Sequence, residues 1–151
     1  MKNRIITMVG SICYAGYFPM APATFASFLW LLAYLFIPGA HRLSHPAALV
    51  IVVPAAIYLA RQMERQHGED SSRIVIDEFA GMQVTFLMIE PSIVVGAVGF
   101  CLFRFFDILK PFPINRSQRL GGGVGVVVDD LIAGLYARIV LLILFRVTGL
   151  S

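Results

Sequence analysis

Five carboxylates, gathered in three short segments, are the residues of this sequence best suited to chemistry. They form two adjacent pairs and one single acid: Asp77 and Glu78, Asp129 and Asp130, and Asp107. Carboxylate oxygens are the ligands that a hard cation such as Mg²⁺ prefers. Capping of a helix N-terminus is the alternative, but it needs only one acid of each pair. Five acids on one face of an apolar protein would repel one another strongly, so we expect a divalent-metal site.

Two basic residues flank the single acid. Arg104, Asp107 and Lys110 are spaced by three residues, which places them on one face of a helix. Such a face often forms an interfacial ladder of ion pairs whose long side chains reach toward water. The alternative is a phosphate clamp, in which the cations bind the anion beside a metal-binding carboxylate. The spacing leaves both interpretations open.

A glycine-rich stretch precedes the second acidic pair, which we expect to open a helix. It contains Gly121, Gly122, Gly123 and Gly125. Backbone N–H groups in such a loop can approach a phosphate closely, although glycines also serve ordinary turns. Neither a P-loop nor a dinucleotide-binding spacing is present. We therefore treat the loop, and Gly122 and Gly123 in particular, as a candidate phosphate contact.

The composition indicates that these polar groups belong to a membrane protein. Of 151 residues, 58% are apolar and 14% charged, with a mean hydropathy of +0.81. Soluble domains average about 25% charged residues, and disorder or a coiled coil is excluded. The net charge of +3 comes without a basic run, so no nucleic-acid partner is expected. We expect one small integral membrane domain over residues 1–151.

Five apolar runs along the chain predict the helices of this domain. Each is shorter than the roughly 20 residues that a spanning helix needs. Either the polar ends of the helices continue beyond the bilayer, or the bundle is partly embedded; we favour the first. We expect an all-α, small polytopic bundle with four to five membrane-embedded helices, the first capped by Thr24. The runs cover residues 25–38, 47–60, 79–89, 93–103 and 131–145.

The N-terminal stretch has some features of a cleaved signal peptide. Lys2 and Arg4 precede an apolar segment, and Ala21-Pro22-Ala23 is similar to a small-residue cleavage site. Glycines inside the segment and prolines at its end argue against cleavage. We expect it to stay in the protein as an interfacial or short buried helix.

If the N-terminus is cytoplasmic and the chain crosses the membrane once at each apolar run, all five acids lie at the cytoplasmic ends of helices. The opposite side then keeps only Arg42, Glu90 and Arg146. Charges cost several kcal/mol at the bilayer centre, and cationic residues accumulate on the cytoplasmic side. We therefore expect the polar site to face the cytoplasm. The cations on that side are Arg61, Arg65, Arg73, Arg104, Lys110, Arg116 and Arg119.

The other reactive side chains give weaker signals. Cys13 and Cys101 stand in apolar surroundings and are expected to be small core residues. The histidines, His41, His45 and His67, lack metal-ligand spacing and are expected at the surface. Arg138, inside the last run, either pairs with a carboxylate of the bundle or extends toward the interface.

Four segments occur in the order and spacing of one enzyme family: FPMAPATFAS, IVIDEFAGM, FRFFDILKPFPI and GGGVGVVVDDLIAG. On these segments the chain resembles the phosphatidylglycerophosphatase A family over residues 19–134. The resemblance implies an all-helical, Mg²⁺-dependent phosphatase of the bacterial inner membrane. Its substrate would be phosphatidylglycerophosphate, and its products phosphatidylglycerol and inorganic phosphate.

The resemblance also implies roles for individual residues. The five acids would hold one or two Mg²⁺ ions and perform the catalysis, while Arg104 and Lys110 would bind the phosphate. Thr24, Ser27 and the glycine loop would add hydrogen bonds. The catalytic and metal-binding positions would be Asp77, Glu78, Asp107, Asp129 and Asp130.

The chain departs from the family pattern at three positions. The early loop of the family reads P-G-T-x-G-S, whereas Ala23 and Ala26 replace its two glycines here. Val127 stands where the family often has methionine. The two alanines bear on the backbone conformation of the loop that contains Thr24 and Ser27.

Two other classes of protein fit parts of the pattern. A small membrane cation transporter could use the acidic cluster as its ion site, since buried carboxylates mark ion pathways. Its acids would lie near the midplane, however, whereas these flank the apolar runs at one edge. A structural subunit with a charged face explains the adjacent acid pairs poorly. Basic residues interleaved with the acids suit a phosphate better than a bare cation, which favours the phosphatase.

Overall fold

The computed structural model describes residues 2–68, 71–117 and 120–148, and within these residues it contains seven α-helices and no strand. The all-α expectation is confirmed. The helices are α1 (Lys2–Gly10), α2 (Pro22–Phe36), α3 (Pro46–His67), α4 (Ile76–Thr85), α5 (Ile93–Leu109), α6 (Ile114–Ser117) and α7 (Val124–Thr148). The five longer helices from α2 to α5 and α7 run alternately up and down. The short α1 packs on α3, and the short α6 packs on α7.

Three helices extend beyond their apolar runs into charged sequence. Helix α3 continues to His67 and α5 to Leu109, as expected for helices with polar ends. Helix α7 begins at Val124, so the expectation that Asp129 and Asp130 open a helix is wrong. The glycine turn ends at Gly123, and the valines after it already complete the first helical turn. The acidic pair therefore lies in the second turn.

Helix α4 is shorter than its apolar run predicts, since it ends at Thr85 rather than near residue 89. The backbone then turns, and Met88 adopts a positive φ of 53° that no α-helix contains. The Met88 N–H donates to the carbonyl of Ser44 at 2.8 Å. Backbone pairing with the α2–α3 connection thus replaces the last predicted helical turn.

Helix α2 starts earlier than predicted, and Thr24 is not its N-cap. The helix begins at Pro22 after Ala21, which has a left-handed φ of 49°. Proline has a fixed φ and no N–H, so it suits the first helical position. Thr24 and Ser27 consequently lie inside the first two turns of α2.

Aromatic side chains fill the centre of the bundle between α2, α4 and α5. Trp30, Tyr34 and Phe86 stack with ring centroids 4.5 to 5.5 Å apart. The Tyr34 hydroxyl donates to the carbonyl of Ile89 at 2.9 Å. Phe103 and Leu141 complete this fully buried cluster. This core lies farther along the helices than the acids do, and it packs the helices of the bundle together.

Helices α4 and α7 cross in close contact because glycines face each other. A Cβ atom on Gly134 would overlap the carbonyl oxygen of Gly81. A Cβ atom on Gly81 would lie 2.5 Å from a ring carbon of Phe103 and 2.8 Å from the carbonyl oxygen of Asp130. The crossing therefore brings the acids of α4 and α7 together.

Among the described helices, α3 alone is long and apolar enough to cross a membrane by length and composition, with a mean hydropathy of 1.5. Helix α2 is apolar but shorter. Large apolar side chains are nevertheless exposed on several helices, such as Ile51 at 74% and Val147 at 79%. Arg119, predicted among the cytoplasmic cations, lies outside the described residues.

The structure also shows where Cys13, Cys101 and Arg138 lie. Cys13 and Cys101 are exposed, so their assignment to the core is wrong: Cys13 lies in a turn with positive φ, and Cys101 on the outer face of α5. Arg138 donates a hydrogen bond to the carbonyl of Leu87, just beyond the end of α4. It thus pairs with a backbone oxygen rather than with a carboxylate.

Candidate active site

The ends of three helices bring the five carboxylates together. Asp77 and Glu78 lie in the first turn of α4, Asp107 in the last turn of α5, and the other pair in the second turn of α7. Because α5 is antiparallel to α4 and α7, all three segments meet at one end of the bundle. The five residues are between 2% and 9% exposed.

Three of the acids are arranged as metal ligands. One carboxylate oxygen from each of Glu78, Asp107 and Asp130 lies within 4.8 Å of the other two. The Asp130 Oδ2 atom is buried and has no hydrogen-bond partner among the described residues. A buried carboxylate oxygen without a partner costs free energy that a cation would recover. An all-oxygen donor set of this kind fits Mg²⁺.

Glu78 is held by two neighbours. Arg104 donates to its Oε2 atom at 2.6 Å and lies 3.0 Å from the Oδ2 of Asp107. The Ser27 hydroxyl, from the second turn of α2, contacts the same Glu78 oxygen at 2.9 Å. Arg104 therefore links two of the three clustered acids and sets their separation. Ser27, through its contact with Glu78, belongs to the same cluster.

Lys110 is the cation that faces the open side of the site. It ends α5 in a left-handed conformation, φ 44°, which turns its side chain toward α7. The ammonium donates to the Oδ2 of Asp129 at 2.7 Å, and the side chain stays 30% exposed. Burial alone would lower the pKa of Lys110, but the hydrogen bond and charge of Asp129 outweigh it and raise the pKa. Lys110 is thus a permanent positive charge.

A cavity of about 350 Å³ opens above the acids. Lys110 and all five carboxylates line it. Its other lining residues were not predicted from the sequence as site residues, because their side chains are small or apolar and lie in a loop or at helix ends. The position of Ser71 and Ser72, shortly before the first acidic pair, was the available signal. The missed residues are Pro22, Ala23, Ser71, Ser72, Ile74, Ile108 and Val126.

Burial favours the protonated form of the acids of α4. It raises the pKa of Asp77 well above its usual range, and the charge of Glu78 raises it further. The pKa of Glu78 is also raised, because burial outweighs the opposing charge of Arg104. Both acids belong to a ten-residue helix, about 15 Å long and too short to cross a bilayer core of about 30 Å. A cation in the site would favour their charged forms.

Not every predicted site residue reaches the cavity. Thr24, Ser27 and Arg104 are not among the described residues that line it. Gly122 and Gly123 lie just before α7 and pack against α3. The Gly122 carbonyl accepts a hydrogen bond from the Nε of Arg61 at 2.7 Å. A Cβ atom on Gly123, whose φ is +70°, would lie 2.5 Å from the backbone nitrogen of Arg61.

The comparison with known families agrees with this geometry. The family model of phosphatidylglycerophosphatase A matches residues 8–145. The chain belongs to the phosphatidylglycerophosphatase A family. A member of this family is a lipid phosphatase that acts on a phosphate monoester, and the family is associated with bacterial membranes. No solved structure matches the chain significantly.

Individual relatives differ in the substrate that their names give. The chain is 31% identical over 128 residues to phosphatidylglycerophosphatase A of Escherichia coli, covering 80% of this chain and 72% of the relative. It is 43% identical over 89 residues to the Haemophilus influenzae protein of that name, covering 55% and 53%. A Bacteroides thetaiotaomicron protein, provisionally named a phosphatidylinositol-3-phosphatase, is 36% identical over 152 residues, covering 94% of each.

Proposed function

We propose that the chain is a Mg²⁺-dependent phosphatase that hydrolyses phosphatidylglycerophosphate to phosphatidylglycerol and inorganic phosphate. The observation that supports this most is the buried triad of Glu78, Asp107 and Asp130 beside the partly exposed Lys110. Oxygen ligands for a cation and a positive charge for the phosphate thus border one cavity. Both relatives named phosphatidylglycerophosphatase A support the substrate.

Within this proposal, the triad would hold Mg²⁺, with Asp77 and Asp129 completing the acidic wall. Bound Mg²⁺ would polarise the phosphoryl oxygens and offset their charge. Lys110 binds the terminal phosphate, and its pairing with Asp129 keeps the ammonium at the cavity edge. Arg104 holds Glu78 and Asp107 in place, and Ser27 orients Glu78. This assigns Arg104 and Ser27 to positioning rather than to direct phosphate binding.

We also propose that residues 1–151 form one multi-pass domain of the bacterial inner membrane. The alternating helices and the exposed apolar side chains on several of them support this arrangement, and α3 has the length and composition of a membrane-spanning helix. The acidic end would face the cytoplasm, because cationic residues lie there in excess. The headgroup would then meet the site at the interface while the acyl chains stay in the bilayer.

A cation transporter remains the alternative from another class. The acids lie at helix ends rather than halfway along the bundle, and cations pair with them at 2.6 to 3.0 Å. Both features favour a phosphate site over an ion pathway. Proteoliposomes would distinguish the two, because a transporter moves Mg²⁺ across the bilayer without releasing phosphate.

The direct test is phosphate release by the purified protein in detergent, with Mg²⁺ and with EDTA. We expect release that requires the cation and falls by about 100-fold or more in Asp130→Asn, which keeps the shape of the side chain but removes a ligand charge. Glu90→Gln is the matched control, since Glu90 is an exposed acid at the opposite end of the bundle.

The outcomes separate the parts of the proposal. Release that survives both EDTA and Asp130→Asn would contradict the metal site. If the protein prefers phosphatidylinositol 3-phosphate, tested in parallel, the proposed substrate would be wrong and the phosphatase activity would stand. Absence of release from either lipid with any divalent cation would contradict the function itself.

A further inference from the structure

A second polar cavity lies beside the acidic one and contains the arginines of α3. Its volume is about 640 Å³. Arg61 and Arg65, one helical turn apart, give it two positive charges against the one negative charge of Glu64. Its lining residues are Arg61, Glu64, Arg65, Leu120, Gly121 and Gly122. We call it the basic cavity.

The walls of the basic cavity are tightly assembled. The Nε of Arg61 donates to the Gly122 carbonyl at 2.7 Å, which fixes the guanidinium against the turn. The absence of a Cβ on Gly123 lets this turn lie directly on the backbone of α3. Arg65, by contrast, has no ion pair or hydrogen bond to any described residue. Its guanidinium is exposed and available to an anion.

The two cavities adjoin at the first turn of α7. Gly122 lines the basic cavity, and Val126, four residues later, lines the acidic one. The proposed substrate has two phosphates joined through one glycerol: the terminal monoester that is removed and a diester that leads to the acyl chains. Five carboxylates and a single lining cation make the acidic cavity unfavourable for the diester.

We infer that the basic cavity binds the phosphodiester of the lipid headgroup, with Arg65 as the principal contact. Arg61 keeps the turn in position, and the exposed Leu120 gives an apolar edge toward the acyl chains. Recognition of this second phosphate selects a lipid headgroup over a soluble phosphate monoester. The inference rests on the proposed function and names how that site chooses its substrate class.

The test compares Arg65→Gln with wild type on two substrates in neutral detergent micelles. One substrate is phosphatidylglycerophosphate, and the other is glycerol 3-phosphate, which has no diester. We expect the KM for the lipid to rise about tenfold in the variant, with kcat and all constants for the soluble substrate unchanged. Arg42→Gln, an exposed arginine at the opposite end, is the matched control.

Direct binding separates this inference from the proposed function. Short-chain phosphatidylglycerol has the diester but no monoester, so calorimetry measures its binding whether or not the protein hydrolyses phosphatidylglycerophosphate. We expect Arg65→Gln to weaken that binding about tenfold. Unchanged binding, or equal losses on both substrates, would overturn the inference. So would an effect that occurs only with anionic bulk lipid present, which would assign the cavity to surrounding lipid.

Discussion

Glu78 is the acid whose position is most closely controlled. Arg104 and Ser27 contact the same carboxylate oxygen, from α5 and α2, while the acid itself belongs to α4. Asp130 is the opposite case, because its buried Oδ2 has no partner among the described residues. The cluster thus combines Glu78, which its neighbours hold in place, with Asp130, whose buried oxygen a bound cation would satisfy.

At the residue scale, the stabilising effect of Mg²⁺ should grow as pH rises. The pKa values of Asp77 and Glu78 are raised in the folded protein. Stability from these groups is therefore present below their unfolded pKa and lost as pH rises through the folded values. Without Mg²⁺ the thermal midpoint should fall over that range, and saturating Mg²⁺ should remove the fall, because protons and metal compete for the same oxygens.

Thermal unfolding in detergent, with EDTA and with Mg²⁺, measures this effect at each pH. The variant Asp77→Asn is the informative comparison, since its amide cannot titrate and should flatten the slope seen in EDTA. A metal-induced shift that is the same at every pH would show that these carboxyls do not compete for the ion.

At the scale of elements, the site depends on how closely α4 approaches α7. Gly81 and Gly134 allow the backbones to touch, and the acids lie about one turn earlier on each helix. Helix α4 has only ten residues, and its C-terminal end meets Arg138 of α7. One contact at each end of the crossing therefore fixes the short helix on the long one.

Gly134→Ala should separate the two helices and disturb the acidic cluster. The added methyl overlaps the carbonyl oxygen of Gly81, and such overpacking costs about 1–3 kcal/mol. We expect a lower thermal midpoint together with weaker Mg²⁺ binding. Leu135→Ala, at the exposed neighbouring position, is the control and should change neither; normal metal affinity in Gly134→Ala would show that the crossing does not set the ligand geometry.

Arg138→Met should destabilise α4 from its other end. The substitution leaves the Leu87 carbonyl, in a part-buried contact, without its donor, and the loss of such a hydrogen bond costs about 1 kcal/mol. We expect a reduced thermal midpoint, whereas Arg146→Met, in the exposed last turn of α7, should be neutral. Equal stabilities of the two variants would mean that the hydrogen bond contributes nothing.

At the scale of the whole molecule, the two ends of the bundle differ in chemistry. The acidic and basic cavities share one end, while the α2–α3 connection and the residues after α4 form the other. Between them lies the aromatic core around Phe86. A lipid phosphatase of this shape can present a headgroup site at one membrane surface only.

Cysteine labelling should place the acidic end in the cytoplasm. With the exposed Cys13 and Cys101 replaced by serine, Ser72→Cys marks the acidic cavity and His45→Cys the opposite end. An impermeant maleimide should label His45→Cys in intact spheroplasts, and Ser72→Cys only after lysis. The reverse pattern would invert the topology, and labelling of both in intact spheroplasts would exclude a membrane-embedded bundle with sealed ends.

Local sequence determined a large part of this protein. The apolar runs predicted helices in the correct order, because burial of apolar side chains needs no knowledge of partners. The adjacent acids and the spacing of Arg104, Asp107 and Lys110 predicted one polar end, and the structure brings these residues within ion-pair distance. Helix ends were less predictable: the stop at Thr85 depends on pairing between Met88 and Ser44.

Only the tertiary structure decided which side chains lie beside each acid. Ser27 and Glu78 are 51 residues apart in sequence, and their contact exists because α2 packs on α4. Packing of the start of α7 on α3 placed the glycine loop against Arg61. Composition and spacing thus predicted helices and a cluster of acids and cations, since these depend on residue type. The pairing of groups depends on helix crossings, which glycines and aromatic side chains distant in sequence control.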